Sequence, residues 1–162
     1  MRYFCLLLLS AIAFMLPFSA DAKEDKNAVP EYTITGAGTA TQGNYLVKVT
    51  VVSKNKNVTD NQLCRAAVHG VLFRGFSNPE KRQSQKPLTG SAANEGQHAD
   101  FYQDFFKEAG LSKNYASIVQ GSRSMKKVDK MYHVTATVEV SKEALLKFLQ
   151  EAGVVKGLNS AF

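Results

Sequence analysis

The strongest constraint on this fold is a stretch, residues 131–140, in which apolar and polar side chains alternate. A period of two places alternate side chains on opposite faces of a β-strand. One face of this strand would carry five apolar side chains, which are Tyr132, Val134, Ala136, Val138 and Val140. The other face would carry His133, Thr135 and Thr137. Residues 45–51 repeat the pattern, with Lys48 and Thr50 on the polar face. The chain therefore needs a second layer that covers the apolar side of a sheet.

Three segments have the spacing of amphipathic helices. Thr59 and Gln62 form a capping-box pattern, which predicts a helix that continues through Arg74. Residues 98–109 place their aromatic side chains on one helical face, and a third helix is expected after Ser141. These helices can supply the covering layer.

The order of segments predicts one α+β domain. Residues 32–35 and 115–120 read as further strands, and 121–130 as a connecting turn. We expect an antiparallel sheet of about four strands with helices packed on one face, in the order β-β-α-α-β-β-α. Residues 77–97 contain two prolines and two glycines without apolar periodicity, which is typical of a long loop.

The N-terminus has the pattern of an export signal. Arg2 is followed by an apolar run over residues 4–18, and Ala20 and Ala22 flank Asp21 as a small-x-small cleavage site. We predict a cleaved signal peptide over residues 1–22, a flexible leader over 23–31 and a single domain over 32–162. An uncleaved anchor is the alternative, although the run is shorter than the roughly 20 residues of a membrane-spanning helix. The protein is expected to be periplasmic or secreted, with no transmembrane segment after cleavage.

Charge and cysteine content restrict the cellular compartment and the kind of partner that we expect. The formal net charge is +6, and Cys64 would be the single cysteine after cleavage, so an internal disulfide is excluded. The short charged start and the scarcity of cysteine favour a bacterial envelope protein. We expect no nucleic-acid partner, because export removes the usual target and the aromatic residues do not alternate with the basic ones. The sequence contains no recognisable cofactor-binding or metal-binding motif.

Two sets of residues are candidates for binding. The predicted connection between the last two strands carries four basic residues that could form one positive rim, which are Arg123, Lys126, Lys127 and Lys130. The polar face of the sheet would carry five more candidates, which are Lys48, Thr50, His133, Thr135 and Thr137. The alternative for both sets is a solvated surface that keeps the strands soluble.

No catalytic set emerges from the sequence. Cys64 and His69 lie five positions apart, which places them on different sides of a helix, and a lone cysteine in an apolar stripe is typical of a core residue. Asp100, Asp104 and Glu108 follow one exposed helix line without a metal-ligand spacing.

Three hypotheses about function follow. The leading one is an exported, non-enzymatic binding or adaptor module of the bacterial cell envelope, whose partner is an envelope protein or an anionic envelope polymer. The alternatives are an envelope hydrolase or small-ligand-binding protein with a site assembled from distant residues, and a self-assembling structural protein. The sequence does not determine the oligomeric state.

Overall fold

The computed structural model describes residues 27–38, 40–79 and 83–156. The predicted signal peptide and most of the predicted leader lie outside these residues, so both stay predictions. Within the described ranges, every helix is too short or too polar to cross a membrane.

The described chain contains seven strands and four α-helices. In chain order they are β1 (Tyr32–Gly36), β2 (Tyr45–Ser53), α1 (Asp60–His69), β3 (Phe76–Asn78), β4 (Gln83–Gln85), α2 (Ala93–Gln97), α3 (Ala99–Phe106), β5 (Ala116–Ile118), β6 (Ser124–Val128), β7 (Met131–Val140) and α4 (Lys142–Glu151). A π-helix (Gly70–Arg74) continues α1, and a 3₁₀-helix (Leu111–Tyr115) precedes β5.

One antiparallel sheet organises the domain. Its strand order is β1-β2-β7-β5, and β6 pairs with the other end of β7, on the same side as β5. The two strands with the clearest alternation, β2 and β7, pair along their length from Tyr45 opposite Val140 to Ser53 opposite Tyr132. The prediction of a single α+β domain with an antiparallel sheet and helices on one face is confirmed.

The core lies between this sheet and the helices. Val47, Val49 and Val51 of β2 are fully buried, as are Leu145 and Leu149 of α4. Complete burial of such a side chain contributes about 1.5–3 kcal/mol. The aromatic residues of α3 pack against Tyr115 and Phe148, which joins α3 to the last helix.

The first helix begins and ends as its sequence predicts. The Thr59 hydroxyl accepts from the Gln62 amide, and the Gln62 side chain accepts from the Thr59 amide, so both halves of the capping box form. The helix continues through Arg74 with π-helical geometry in its last turn and ends at Gly75, whose φ is 68°. Gly70 allows the helix to approach β1, because a Cβ there would lie 2.6 Å from Ile34 Cδ1.

The prediction of a connecting turn over residues 121–130 is wrong. Ser124–Val128 forms β6, which makes the sheet five-stranded, and the turn that joins β6 to β7 consists of Asp129 and Lys130, both with positive φ. Every residue of β6 is exposed, so neither face has an apolar set that alternation could detect.

The segment 77–97 contains more regular structure than its composition predicts. It holds most of the β3–β4 ribbon and the helix α2. The Leu88 amide donates to the Val71 carbonyl, and the Thr89 hydroxyl donates to the Leu72 carbonyl. These two hydrogen bonds hold the segment against the π-helix.

Candidate functional site

The first candidate site is the face of the sheet opposite the helices, called the open face below. It carries the side chains that alternate with the buried ones. The polar members are Thr33, Thr35, Lys48, Thr50, Ser117, Ser124, Lys126, His133, Thr135, Thr137 and Glu139, and the apolar members are Leu46, Val52, Val128 and Met131. The strand register places Lys48 beside Thr137 and Thr50 beside Thr135. The two hydroxyls of the Thr50–Thr135 pair lie 2.8 Å apart and share a hydrogen bond. The five sheet residues predicted from sequence therefore come together on one surface.

The open face carries two exposed ammonium groups. Lys126 is paired with His133 in the register, and Lys48 lies nearer the centre of the sheet. Neither lysine forms an ion pair with any residue of the described ranges. Glu139 lies at one end of the face, where its Oε1 accepts from the Thr41 hydroxyl at 2.9 Å and from Asn44 Nδ2 at 2.7 Å. The central part of the face is thus positive.

The four basic residues predicted as one rim do not all lie on one side. Because Lys126 and Lys127 are adjacent in a strand, they point to opposite faces of the sheet. Lys127 lies over the Tyr132 ring, with Nζ 5.2 Å from its centroid. Arg123 binds Asp60 and donates to the Val58 carbonyl, so it fastens the hairpin to the start of α1. Lys130 occupies the turn.

Sequence reasoning missed two further lysines at this end of the molecule. Lys54 and Lys56 follow Ser53, whose partner Tyr132 lies just beyond the β6–β7 turn. Both lysines are exposed. Together with Lys126, Lys127 and Lys130 they form what we call the basic end. The sequence feature that could have revealed these two lysines is the Lys-Asn-Lys run directly after a predicted strand.

The second candidate site is a hydrogen-bonded chain that starts in the core. The Tyr32 hydroxyl lies 2.6 Å from His69 Nδ1, and His69 Nε2 lies 2.9 Å from Glu95 Oε1. Both distances fit a neutral imidazole that carries its proton on Nε2. Burial lowers the pKa of His69, and the hydrogen bond that its Nε2 donates to Glu95 only partly offsets this. Burial also raises the pKa of Tyr32 above its usual range. The Tyr32 hydroxyl therefore keeps its proton at neutral pH, and burial favours the neutral form of the His69 imidazole.

This chain ends at a cleft of about 290 Å³. Glu95 lines the cleft together with the rings of Tyr102 and Phe106, and among the described residues of the lining it alone is charged. The Glu95 side chain is 46% exposed, whereas that of His69 is 12% exposed. The arrangement can hold a small molecule with an apolar body and a hydrogen-bond donor. Sequence reasoning missed it because 26 residues separate His69 from Glu95 and 37 separate it from Tyr32.

The burial of His69 predicts a pH-dependent stability. Tyr32, Glu95 and Arg74 surround the imidazole, and its lowered pKa means that the unfolded chain binds this proton more readily than the folded chain does. The contribution of the buried neutral imidazole to the free energy of unfolding is complete above the pKa of histidine in the unfolded chain, about 6.5, and is lost as pH falls below that value. We expect His69→Gln to flatten the dependence of the free energy of unfolding between pH 7 and pH 5. The wild-type slope from this group has a limit of about 1.4 kcal/mol per pH unit. Urea unfolding at several pH values measures both slopes, and equal slopes would refute the assignment.

Cys64 and Asp104 have structural roles. Cys64 is buried, and this burial raises the pKa of its thiol to about 11. This confirms the prediction of a core cysteine. Asp104 pairs with Lys107 at 3.0 Å on the surface of α3. Within the described parts of the chain, no three His, Cys, Asp or Glu residues are grouped to hold a metal ion.

Comparison with known proteins gives no relative: no protein-family model, no curated protein and no solved structure matches the chain.

Proposed function

We propose that this protein is an exported, non-enzymatic binding module of the bacterial cell envelope, and that its open face and basic end bind an anionic envelope polymer. The observation that carries the proposal is the position of Lys48 and Lys126. Both lysines are exposed on the open face, and neither has a carboxylate partner in the described chain. An unneutralised ammonium group attracts anionic groups at short range, and the attraction weakens as salt rises.

The shape of the surface supports a long ligand. All five strands contribute to the open face, and the basic end extends it beyond β2 and the β6–β7 turn. A polymer could contact the two parts at once, since each added contact becomes intramolecular after the first. The net charge of +6 favours encounter with any polyanion.

The test of this proposal measures affinity for a defined polyanion. We expect Lys126→Gln, Lys127→Gln and Lys130→Gln together to weaken binding of polygalacturonate about tenfold at low salt, since an exposed charge contributes about 0.5 kcal/mol. The control removes three lysines from other surfaces, Lys107, Lys113 and Lys147, and has the same net charge. If the two triple variants bind equally, the attraction is non-specific and the proposed surface is wrong. If polygalacturonate does not bind at any salt concentration, the polymer proposal is wrong and a protein partner is favoured instead.

A second candidate function is small-ligand binding in the cleft beside Glu95. It is favoured by one observation, the carboxylate that His69 orients at the mouth of an aromatic-lined cleft. Aromatic walls with a few fixed polar groups are typical of small-molecule sites. The variant Glu95→Gln separates the two functions, because it removes this carboxylate and leaves every lysine of the open face in place.

A further inference from the structure

A row of hydroxyl groups crosses the open face from one edge of the sheet to the other. The register pairs Thr33 with Thr50, Thr50 with Thr135 and Thr135 with Ser124. Each of four adjacent strands thus contributes one hydroxyl at the same level, which we call the hydroxyl row. Because neighbouring strands lie about 4.8 Å apart, the row is about 14 Å long.

The two lysines of the open face stand on opposite sides of this row. Lys48 lies two residues from Thr50 along β2, at the level of Thr137. Lys126 lies two residues from Ser124 along β6, at the level of His133, which is on the other side of the row. Two residues of a strand span about 6.8 Å, which is within reach of a lysine side chain. A ligand on the hydroxyl row would therefore meet an ammonium group on each flank.

The chemistry of the row favours a sugar polymer. A hydroxyl both donates and accepts, and each threonine of the bonded Thr50–Thr135 pair keeps free acceptor positions. Sugar hydroxyls have the same dual character, so they can bond to such a row in several orientations. The lysines add a requirement for negative charge, which the carboxylate of an acidic sugar supplies.

We propose that the hydroxyl row binds an acidic polysaccharide of the polyuronate class, laid across the strands with its carboxylates at Lys48 and Lys126. This inference rests on the proposed function and specifies its ligand. Binding of this kind distinguishes the sugar polymer both from neutral polysaccharides, which lack the charge, and from acidic polypeptides, which lack the hydroxyls.

The experiment compares three probes on the wild-type protein by calorimetry. They are oligogalacturonate, oligoglutamate of the same charge and length, and neutral dextran. We expect oligogalacturonate to bind about tenfold more tightly than oligoglutamate, and dextran to bind more weakly than either. This comparison needs no variant and so does not depend on how well a variant folds.

A double variant then locates the contact. We expect the double variant Thr50→Val with Thr135→Val to bind oligogalacturonate about tenfold more weakly, because two modest hydrogen bonds are lost. Its affinity for oligoglutamate should stay unchanged. The control is Ser77→Ala with Ser84→Ala, which removes a cross-strand hydroxyl pair from the β3–β4 ribbon. Equal binding of both acidic probes, or no effect of the threonine variant, would overturn the sugar inference while leaving polyanion binding intact. Failure of both acidic probes to bind would overturn the proposed function as well.

Discussion

Replacement of Arg65 by Leu is expected to lower the free energy of unfolding by about 3 kcal/mol or more. The Arg65 residue is 1% exposed. Its Nη1 donates to the Phe106 carbonyl at 2.7 Å and to the Asn27 carbonyl at 3.4 Å, and its Nη2 donates to the Ala28 carbonyl at 3.1 Å. Leucine fills much of the same space but leaves these acceptors without their donor. A buried acceptor that loses its donor costs about 1–3 kcal/mol.

The control for this variant is Arg123→Leu, measured by the same urea unfolding. Arg123 also donates to a carboxylate and a carbonyl, but its side chain is 41% exposed, so water can replace both contacts. We expect its cost to stay below about 1 kcal/mol. Similar losses for both variants would contradict the role of Arg65 as the link between residues 27–28, α1 and α3.

The second large effect is expected at the end of the first helix. Gly75 has a φ of 68°, and a Cβ there would lie 2.2 Å from the carbonyl oxygen of Gln85. Gly75→Ala therefore combines a left-handed backbone with a collision against backbone that cannot rotate away. We expect it to lower the free energy of unfolding by about 3 kcal/mol or more.

Gly121→Ala provides the matched control. Gly121 has a φ of 74°, almost the same as Gly75, but nothing lies within 4 Å of the added Cβ. Only the backbone cost of about 1–2 kcal/mol should remain. If thermal unfolding shows equal losses for the two variants, the close approach of the β3–β4 ribbon to the helix end is wrong.

The predictable part of this fold is the part with a clear period. Burial on one side imposes alternation on β2 and β7 and a helical stripe on α1, so sequence alone locates them. Strand β6 has no such stripe because both of its faces are exposed. Strand β6 forms because it pairs with β7, and the local sequence of β6 does not encode that pairing.

The candidate site was predictable in composition but not in arrangement. Which polar residues lie on the open face follows from alternation, and Lys48, Thr50 and Thr135 share it as expected. The separation of Lys126 from Lys127 follows from a strand that sequence did not predict. The contact of His69 with Glu95 depends on how α2 docks on the helical layer, and no local pattern encodes that.

The most direct test of the proposed binding surface is a map of backbone amide chemical shifts during titration of the protein with polygalacturonate. The largest shifts are expected on β2, β6 and β7 around Lys48, Thr50, Lys126 and Thr135, and they should fade as salt is added. Little change is expected on α3 and α4. Shifts concentrated around Glu95 and Tyr102, or spread evenly over the molecule, would contradict the assignment of the open face as the binding surface.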